Sequence, residues 1–282
     1  MIASPTALAF ESALPIVDLG AKPRGKVGVT EVRDRALGLA EAESLARTIG
    51  AYVDTAKYTC GTQRLFSRGF IKAKNDVYAA HDIGVSSGGM LERVVQYGER
   101  AVHAFLEESR ELGFTVIEVS TGLTILSEKA KTDLIRTTLS YGFKVKPEVA
   151  MTYGTGVRGD EQVRVSADRI IGECVACLEA GATMVMIEEE GIFQYVKEPQ
   201  VDLVHRLVRT VGLENLMFEA GEVKTMNWLI KAYGPHVNLF VDPIHVFFLA
   251  SLRAGIWGLS DTMGRVADFN PDWAPDASRA AA

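Results

Sequence analysis

The chain has 282 residues, 48% hydrophobic and 23% charged, which is ample material for one large α/β core. A formal net charge of −6 argues against nucleic acid as the main partner, and no apolar run approaches the ~18 residues of a membrane-spanning helix. Three cysteines, Cys60, Cys174 and Cys177, are too sparse and odd a set for a disulfide framework and fit a reducing cytoplasm.

In chain order, Met1–Gly20 carries Glu11 and Asp18 and lacks a basic start, so residues 1–21 read as a weakly structured arm rather than a secretory signal. The first strand is predicted from Lys26 to Val32, closed by Arg33 and Asp34, and a helix from Ala36 to Ile49 follows with Leu37, Ala40, Leu45 and Ile49 on one side. Gly50 precedes a second strand ending at Lys57, whose loop to Thr62 enters a helix from Leu65 to Ala80. The third strand, Ile83 to Ser87, runs into Gly88-Gly89 and then one long helix, Leu91 to Leu112. Gly113 stops that helix, because glycine adopts the left-handed conformation without a Cβ clash, and the fourth strand ends in Glu118 and Ser120.

Ser127 is predicted to cap the next helix, which reaches Gly142 and leads into a fifth strand holding Glu148. Met151 to Val165 is the one long loop. Ser166 caps a helix to Ala180, within which Cys174 and Cys177 read as buried positions, and Thr183 to Glu190 is the sixth strand. A helix after Pro199, a strand ending at Glu219, a helix from Val223 to Tyr233 and a strand ending at Asp242 complete the pattern. The apolar helix Ile244 to Trp257 comes last, and residues 263–282 read as a loose tail.

Helix, glycine, short apolar strand, terminal acid: this repeat recurs about every thirty residues. It specifies a single-domain closed (β/α)8 barrel over residues 22–262 more economically than an open sheet. An open dinucleotide-binding sheet would carry G-x-G-x-x-G after its first strand, and the sequence has none there.

The strand C-termini of such a barrel share one mouth, where chemistry sits. This sequence puts Glu31, Asp34, Glu118, Glu148, Glu188, Glu189, Glu219 and Asp242 there, with Arg33 and Lys57, and with Lys22 and Arg24 folding over the end. Crowded carboxylates repel and raise each other's pKa unless a cation intervenes. Mg²⁺ on one or two carboxylates would relieve this, and Lys57 could share the task. By strand parity Lys57 lies on the face of Thr55 and Val53, which would place its ammonium among Glu31, Glu118 and Glu219. Ser86-Ser87-Gly88-Gly89 could present backbone N–H groups to an anion. The five histidines show no metal-ligand spacing.

Several of these stretches resemble the phosphosulfolactate synthase family: Gly28–Asp34, Tyr52–Lys57 with Gly61-Thr62, Ser86–Glu92, Gly113–Ser120, Ala180–Glu188 and Phe218–Ala220. Lys144–Glu148, Met217–Ala220 and Tyr233–Asp242 are more similar to its plant heat-stress-associated branch. The resemblance implies a (β/α)8 barrel, Mg²⁺, and addition of sulfite to phosphoenolpyruvate or a related small anion, without nucleic-acid or membrane partners, in a cytoplasmic homo-oligomer. With the residues at the mouth, it implies catalytic roles for Lys57, Glu118, Glu148 and Glu188. It implies substrate contacts from Arg33, Asp34, Thr62, Ser87, Gly88, Gly89, Ser120 and Glu219, and metal ligation by Glu118, Glu188 and Glu219.

The sequence also departs from the synthases. They follow the strand-five glutamate with glycine-lysine-lysine and the strand-six glutamate with glycine-arginine-glutamate-serine, whereas this chain reads Glu148-Val-Ala-Met-Thr152 and Glu188-Glu-Glu-Gly191. Three readings therefore stand: a synthase-like carbon–sulfur lyase; a diverged barrel enzyme with another substrate or Schiff-base chemistry on Lys57; and a non-catalytic stress-tolerance protein.

Overall fold

A computed structural model describes residues 9–10, 13–14, 27–35, 37–121, 124, 126–150, 152–153, 163–164, 166–194 and 196–266. The predicted arm, the predicted tail and the loop from Met151 to Val165 lie largely outside the described residues, as do Lys22 and Arg24.

In chain order the strands are β1 (Thr30–Asp34), β2 (Thr55–Tyr58), β3 (Gly84–Ser86), β4 (Val116–Val119), β5 (Lys144–Val149), β6 (Thr152–Tyr153), β7 (Val163–Arg164), β8 (Val185–Ile187), β9 (Leu216–Glu219) and β10 (Asn238–Val241). The helices are α1 (Leu39–Ile49), α2 (Arg68–Ala79), α3 (Met90–Val94), α4 (Glu99–Glu111), α5 (Glu128–Ser140), α6 (Ala167–Glu179), α7 (Val201–Val211), α8 (Val223–Tyr233) and α9 (Val246–Arg253). Eight parallel strands close in the order β1-β2-β3-β4-β5-β8-β9-β10 and back to β1. β6 and β7 form a separate antiparallel pair inside the predicted long loop. Among the described residues no helix is long and apolar enough to cross a membrane.

The local chemistry follows the sequence closely in places. Ser127 and Ser166 accept hydrogen bonds from the backbone N–H of Ala130 and Arg169 and so start α5 and α6. The predicted long helix from Leu91 to Leu112 is instead two, because Gly98 takes φ +86° and the chain turns there before restarting as α4. The last helix is likewise shorter than predicted, spanning Val246–Arg253.

Outward strand residues, among them Val32, Ala56, Tyr58, Val85, Ile117, Val145, Val185, Phe218 and Leu239, form one core with the apolar faces of the helices. Burial of each Val, Ile, Leu or Phe among them contributes roughly 1.5–3 kcal/mol. The interior is different. Tracing the strand register around the ring sorts the inward side chains into stacked layers drawn from alternate strands. The lowest holds Thr55, Val116, Met184 and Asn238; the next, Glu31, Ser86, Lys146 and Met217. Above lie Lys57, Glu118, Met186 and Phe240, then Arg33, Gly88, Glu148 and Glu219 at the mouth. Such layers are ordinarily filled by branched aliphatic residues. Here they carry ion pairs.

Candidate active site

Lys57 projects inward from β2 and is only 4% exposed. Its Nζ lies 2.6 Å from Glu118 Oε2 and 3.2 Å from Glu148 Oε2, and 4.5 Å from the centroid of the Phe240 ring. Burial works against the ammonium, but Glu118, Glu148 and Glu31 more than offset it and hold Lys57 protonated well above the ordinary lysine range. The sequence places Glu31, Glu118 and Glu219 beside this ammonium; Glu118 is in contact, but the second contact is Glu148, with Glu31 one layer below.

Glu118 uses both oxygens. Oε1 accepts from Ser120 Oγ at 2.9 Å while Oε2 faces Lys57. Burial pushes its carboxyl up to about 7, against the pull of Lys57 and Lys146. Glu148 and Glu188 share a side-chain hydrogen bond and move apart. Burial pushes Glu188 up to about 10, reinforced by the charges of Glu148 and Glu219, whereas Lys57 outweighs burial at Glu148 and lowers it. The shared proton therefore rests on Glu188. Lys131, on α5, pins the end of β5 from outside by donating to the Glu148 carbonyl at 2.7 Å and to Glu173 at 2.6 Å.

Across the mouth, the Arg33 guanidinium pairs with Glu219, lies 3.4 Å from Asp242 and sits 4.6 Å from the centroid of the Phe240 ring. Phe240 is thus a common π surface for both cations of the mouth. Burial raises the Glu219 carboxyl, with Arg33 and Lys57 acting against it.

Of the residues singled out in the sequence, Lys57, Glu118, Glu148, Glu188, Ser120, Arg33 and Glu219 meet at the mouth. Asp34 does not. As the outward residue next to Arg33, it is fully buried between barrel and helices, where it accepts from Lys74 Nζ and Tyr78 Oη, each at 2.8 Å, and from the Leu37 N–H at 2.9 Å. Ser87 is spent on backbone, accepting from the Glu118 N–H and donating to the Gly88 carbonyl. Gly88 has φ +56°, and a Cβ there would sit 1.8 Å from the Tyr58 carbonyl oxygen, so the close passage over β2 itself demands glycine. Gly89 passes over the site; a Cβ on it would lie 3.3 Å from Ser120 Oγ and 3.6 Å from Glu118 Oε1. The hydroxyls of Thr62 and nearby Thr59 are buried without a hydrogen-bond partner among the described residues. Glu189 turns away to accept from Thr225, the Gly221 N–H and Gln194, tying neighbouring loops together.

Sequence reasoning missed Lys146 and Phe240. Lys146 is 5% exposed and pairs with Glu31 in the layer beneath Lys57. Its signal was present as period-two spacing, since Lys144, Lys146 and Glu148 share one strand face.

The donor chemistry can be compared with what Mg²⁺ requires. Among the described residues no group of three or more His, Cys, Asp or Glu forms a ready-made metal cage. Glu118, with one oxygen on Ser120 and the other on Lys57, has little left to offer. At Glu188 burial raises the carboxyl and the charges of Glu148 and Glu219 add to it, which marks negative charge gathered there, and Glu219 has Oε1 on Arg33. Two such carboxylates suit an ion that takes one or two protein ligands and completes its shell with water and substrate.

Barrel, layered ion pairs and carboxylate-rich mouth together define a (β/α)8 barrel protein with its charged side chains gathered at the strand ends. The chain belongs to the phosphosulfolactate synthase family: the family described as (2R)-phospho-3-sulfolactate synthase (ComA) matches residues 18–259. Protein HEAT-STRESS-ASSOCIATED 32 of Arabidopsis thaliana is 31% identical, covering 82% of this chain and 87% of its own. Phosphosulfolactate synthase of Methanothermobacter thermautotrophicus is also 31% identical, covering 87% of this chain and 94% of its own. Among solved structures, a CutC copper homeostasis protein from Streptococcus agalactiae superposes with TM-score 0.53 at 15% identity, over 76% of this chain and 98% of its own. That likeness shows the barrel fold alone.

Proposed function

We propose that this chain is a phosphosulfolactate-synthase-like carbon–sulfur lyase that adds sulfite, or a related nucleophile, to C3 of phosphoenolpyruvate or a similar small anion, with Mg²⁺. The observation that carries the reading is Lys57, a buried ammonium kept charged by Glu118 and Glu148 beside the bare backbone of Gly88. As sulfur adds at C3, the C2=C3 π pair moves onto the acceptor's carboxylate as an enediolate, which a preorganised cation stabilises without reorganisation, and C2 then takes a proton to give the product. Lys57 serves as that fixed charge. Schiff-base chemistry needs an amine of lowered pKa, and this one moves the other way. Mg²⁺, when bound, would supply further positive charge to stabilise the developing enediolate. Glu188 and Glu219 are the residues that would hold it.

A second reading, a diverged enzyme for a less phosphorylated substrate, is favoured by one observation. Lys57, Lys146 and Arg33 are each already matched to a carboxylate, and the lysines and arginine of the synthases have no counterpart after Glu148 and Glu188. We further propose a cytoplasmic homo-oligomer, as the three thiols are free and Ile244, Phe247 and Trp257 are exposed apolar residues. The heat-stress relative suggests a setting in stress tolerance. The test is incubation with phosphoenolpyruvate, sulfite and Mg²⁺. The first reading expects phosphosulfolactate, with the sulfonate sulfur bonded to C3; ligand binding without product favours the second, and neither binding nor product favours a non-catalytic scaffold.

A further inference from the structure

Three carboxylates act on the Lys57 ammonium, and they do not lie in the same direction. Glu118 and Glu148 flank it at and above its own layer, at 2.6 and 3.2 Å. Glu31 lies in the layer below, is 1% exposed, and its charge is felt at Lys57. An ionised carboxylate in that dry layer would draw the nearest available cation, since an unpaired buried charge is among the costliest things a core can hold. What meets it is Lys146, whose Nζ bonds the Glu31 carboxylate and lies 3.8 Å from Met217 Sδ. Lys146 is the register neighbour of Glu118 on the adjacent strand, so it comes up beside the site from below.

We propose that Lys146 is a positioning residue: by neutralising Glu31 beneath the site, it keeps the Lys57 ammonium turned upward to Glu118, Glu148 and the mouth. The two lysines divide the carboxylates by depth. Take away the lower lysine and Glu31 competes for the upper one, and a four-carbon stem with free rotations can follow. The pair thereby acts on the reaction site without touching substrate. An inert structural ion pair would behave differently, because it would not matter to Lys57 which partner was removed.

That asymmetry is the test, read in crystal structures of three variants of the full chain. In Lys146→Met, Lys57 Nζ is expected to leave Glu118 and Glu148 and to lie within about 3 Å of Glu31. In Glu31→Gln, and in the double variant Glu31→Gln with Lys146→Met, Lys57 is expected to remain on Glu118 and Glu148. Lys57 unmoved in Lys146→Met, or displaced in the double variant, would overturn the proposal. Should Lys146→Met fail to fold, Lys146→Gln replaces it, because it keeps a hydrogen-bonding group near Glu31 but removes the charge; the same displacement is expected. The position of Lys57 is read without any substrate, so the outcome is independent of the synthase reading. If the synthase assay is positive, Lys146→Met is expected to lose at least tenfold in kcat and the double variant to recover it.

Discussion

Replacing Lys57 by Met removes the charge from the centre of the mouth and keeps most of the volume. Breaking a buried pair by deleting one partner costs about 3–5 kcal/mol, because the other is left charged without compensation. The structure says which carboxylate sets the pH dependence. Glu118 is already raised, to about 7, with Lys57 in place, so its behaviour up to neutrality changes little. Glu148 is the one that Lys57 holds low against burial. In the variant Glu148 keeps a proton in the folded state that the unfolded chain releases above its ordinary pKa, so the folded state binds more protons and stability falls as pH rises. One such group loses about 1.4 kcal/mol per pH unit, or nearly 3 kcal/mol between pH 5 and pH 7. The wild type has no such loss from Glu148, whose pKa is lowered. Urea denaturation followed by circular dichroism at pH 5, 6 and 7 should show a penalty that is small at pH 5 and reaches about 3–5 kcal/mol at pH 7. A penalty equal at both ends of that range would refute the assignment of Lys57 as the cation that keeps Glu148 ionised.

Other outcomes follow from the same geometry. Mg²⁺ binding should release close to one proton, because Glu188 is pushed up to about 10 and must ionise to ligate. Calorimetry in two buffers of different ionisation enthalpy would read this, with affinity tightening as pH rises from 6 toward 9 and with Glu188→Gln abolishing it. Asp34→Asn should destabilise the fold by about 3 kcal/mol or more, since Lys74 is left buried without its counter-charge, yet leave ligand affinity at the mouth unchanged. Parallel denaturation and binding titrations would separate the two effects. A thiol reagent at pH 8 should modify one cysteine in the native protein, exposed Cys60, and three after unfolding, since Cys174 and Cys177 are buried and burial raises both thiols.

The barrel was legible because its punctuation is local. Glycines such as Gly113 and Gly142 end helices with positive φ, and acids such as Glu118 and Glu219 stand at strand ends, so a pass along the chain finds each unit without knowing its neighbours. Ser127 and Ser166 were readable as caps for the same reason. Gly98 was not read as a break because the apolar spacing continues through it from Val94 to Val102, and only the backbone turn shows that two helices share the pattern. Asp34 stands at the end of its strand like the other acids, but adjacent strand residues face opposite ways, and parity sends it outward from Arg33. Lys146 illustrates a different limit. Its parity is visible, but that its partner is Glu31, far away in sequence, depends on how eight strands stagger around a closed ring. The same holds for Phe240, whose role between Arg33 and Lys57 is a property of the stacked layers.

We propose the mouth around Lys57 as a working site for a small anion of the synthase type. Thermal unfolding of the wild type with Mg²⁺ alone, and with Mg²⁺ plus phosphoenolpyruvate, sulfite or phosphosulfolactate, tests it most directly. A ligand at a hundred times its Kd stabilises the native state by about 2.7 kcal/mol. At roughly 2–4 °C per kcal/mol for a chain of this size, the melting temperature should rise by about 5–10 °C, and Lys57→Met should erase the rise. An unchanged melting temperature with every one of these ligands at millimolar concentration would contradict it.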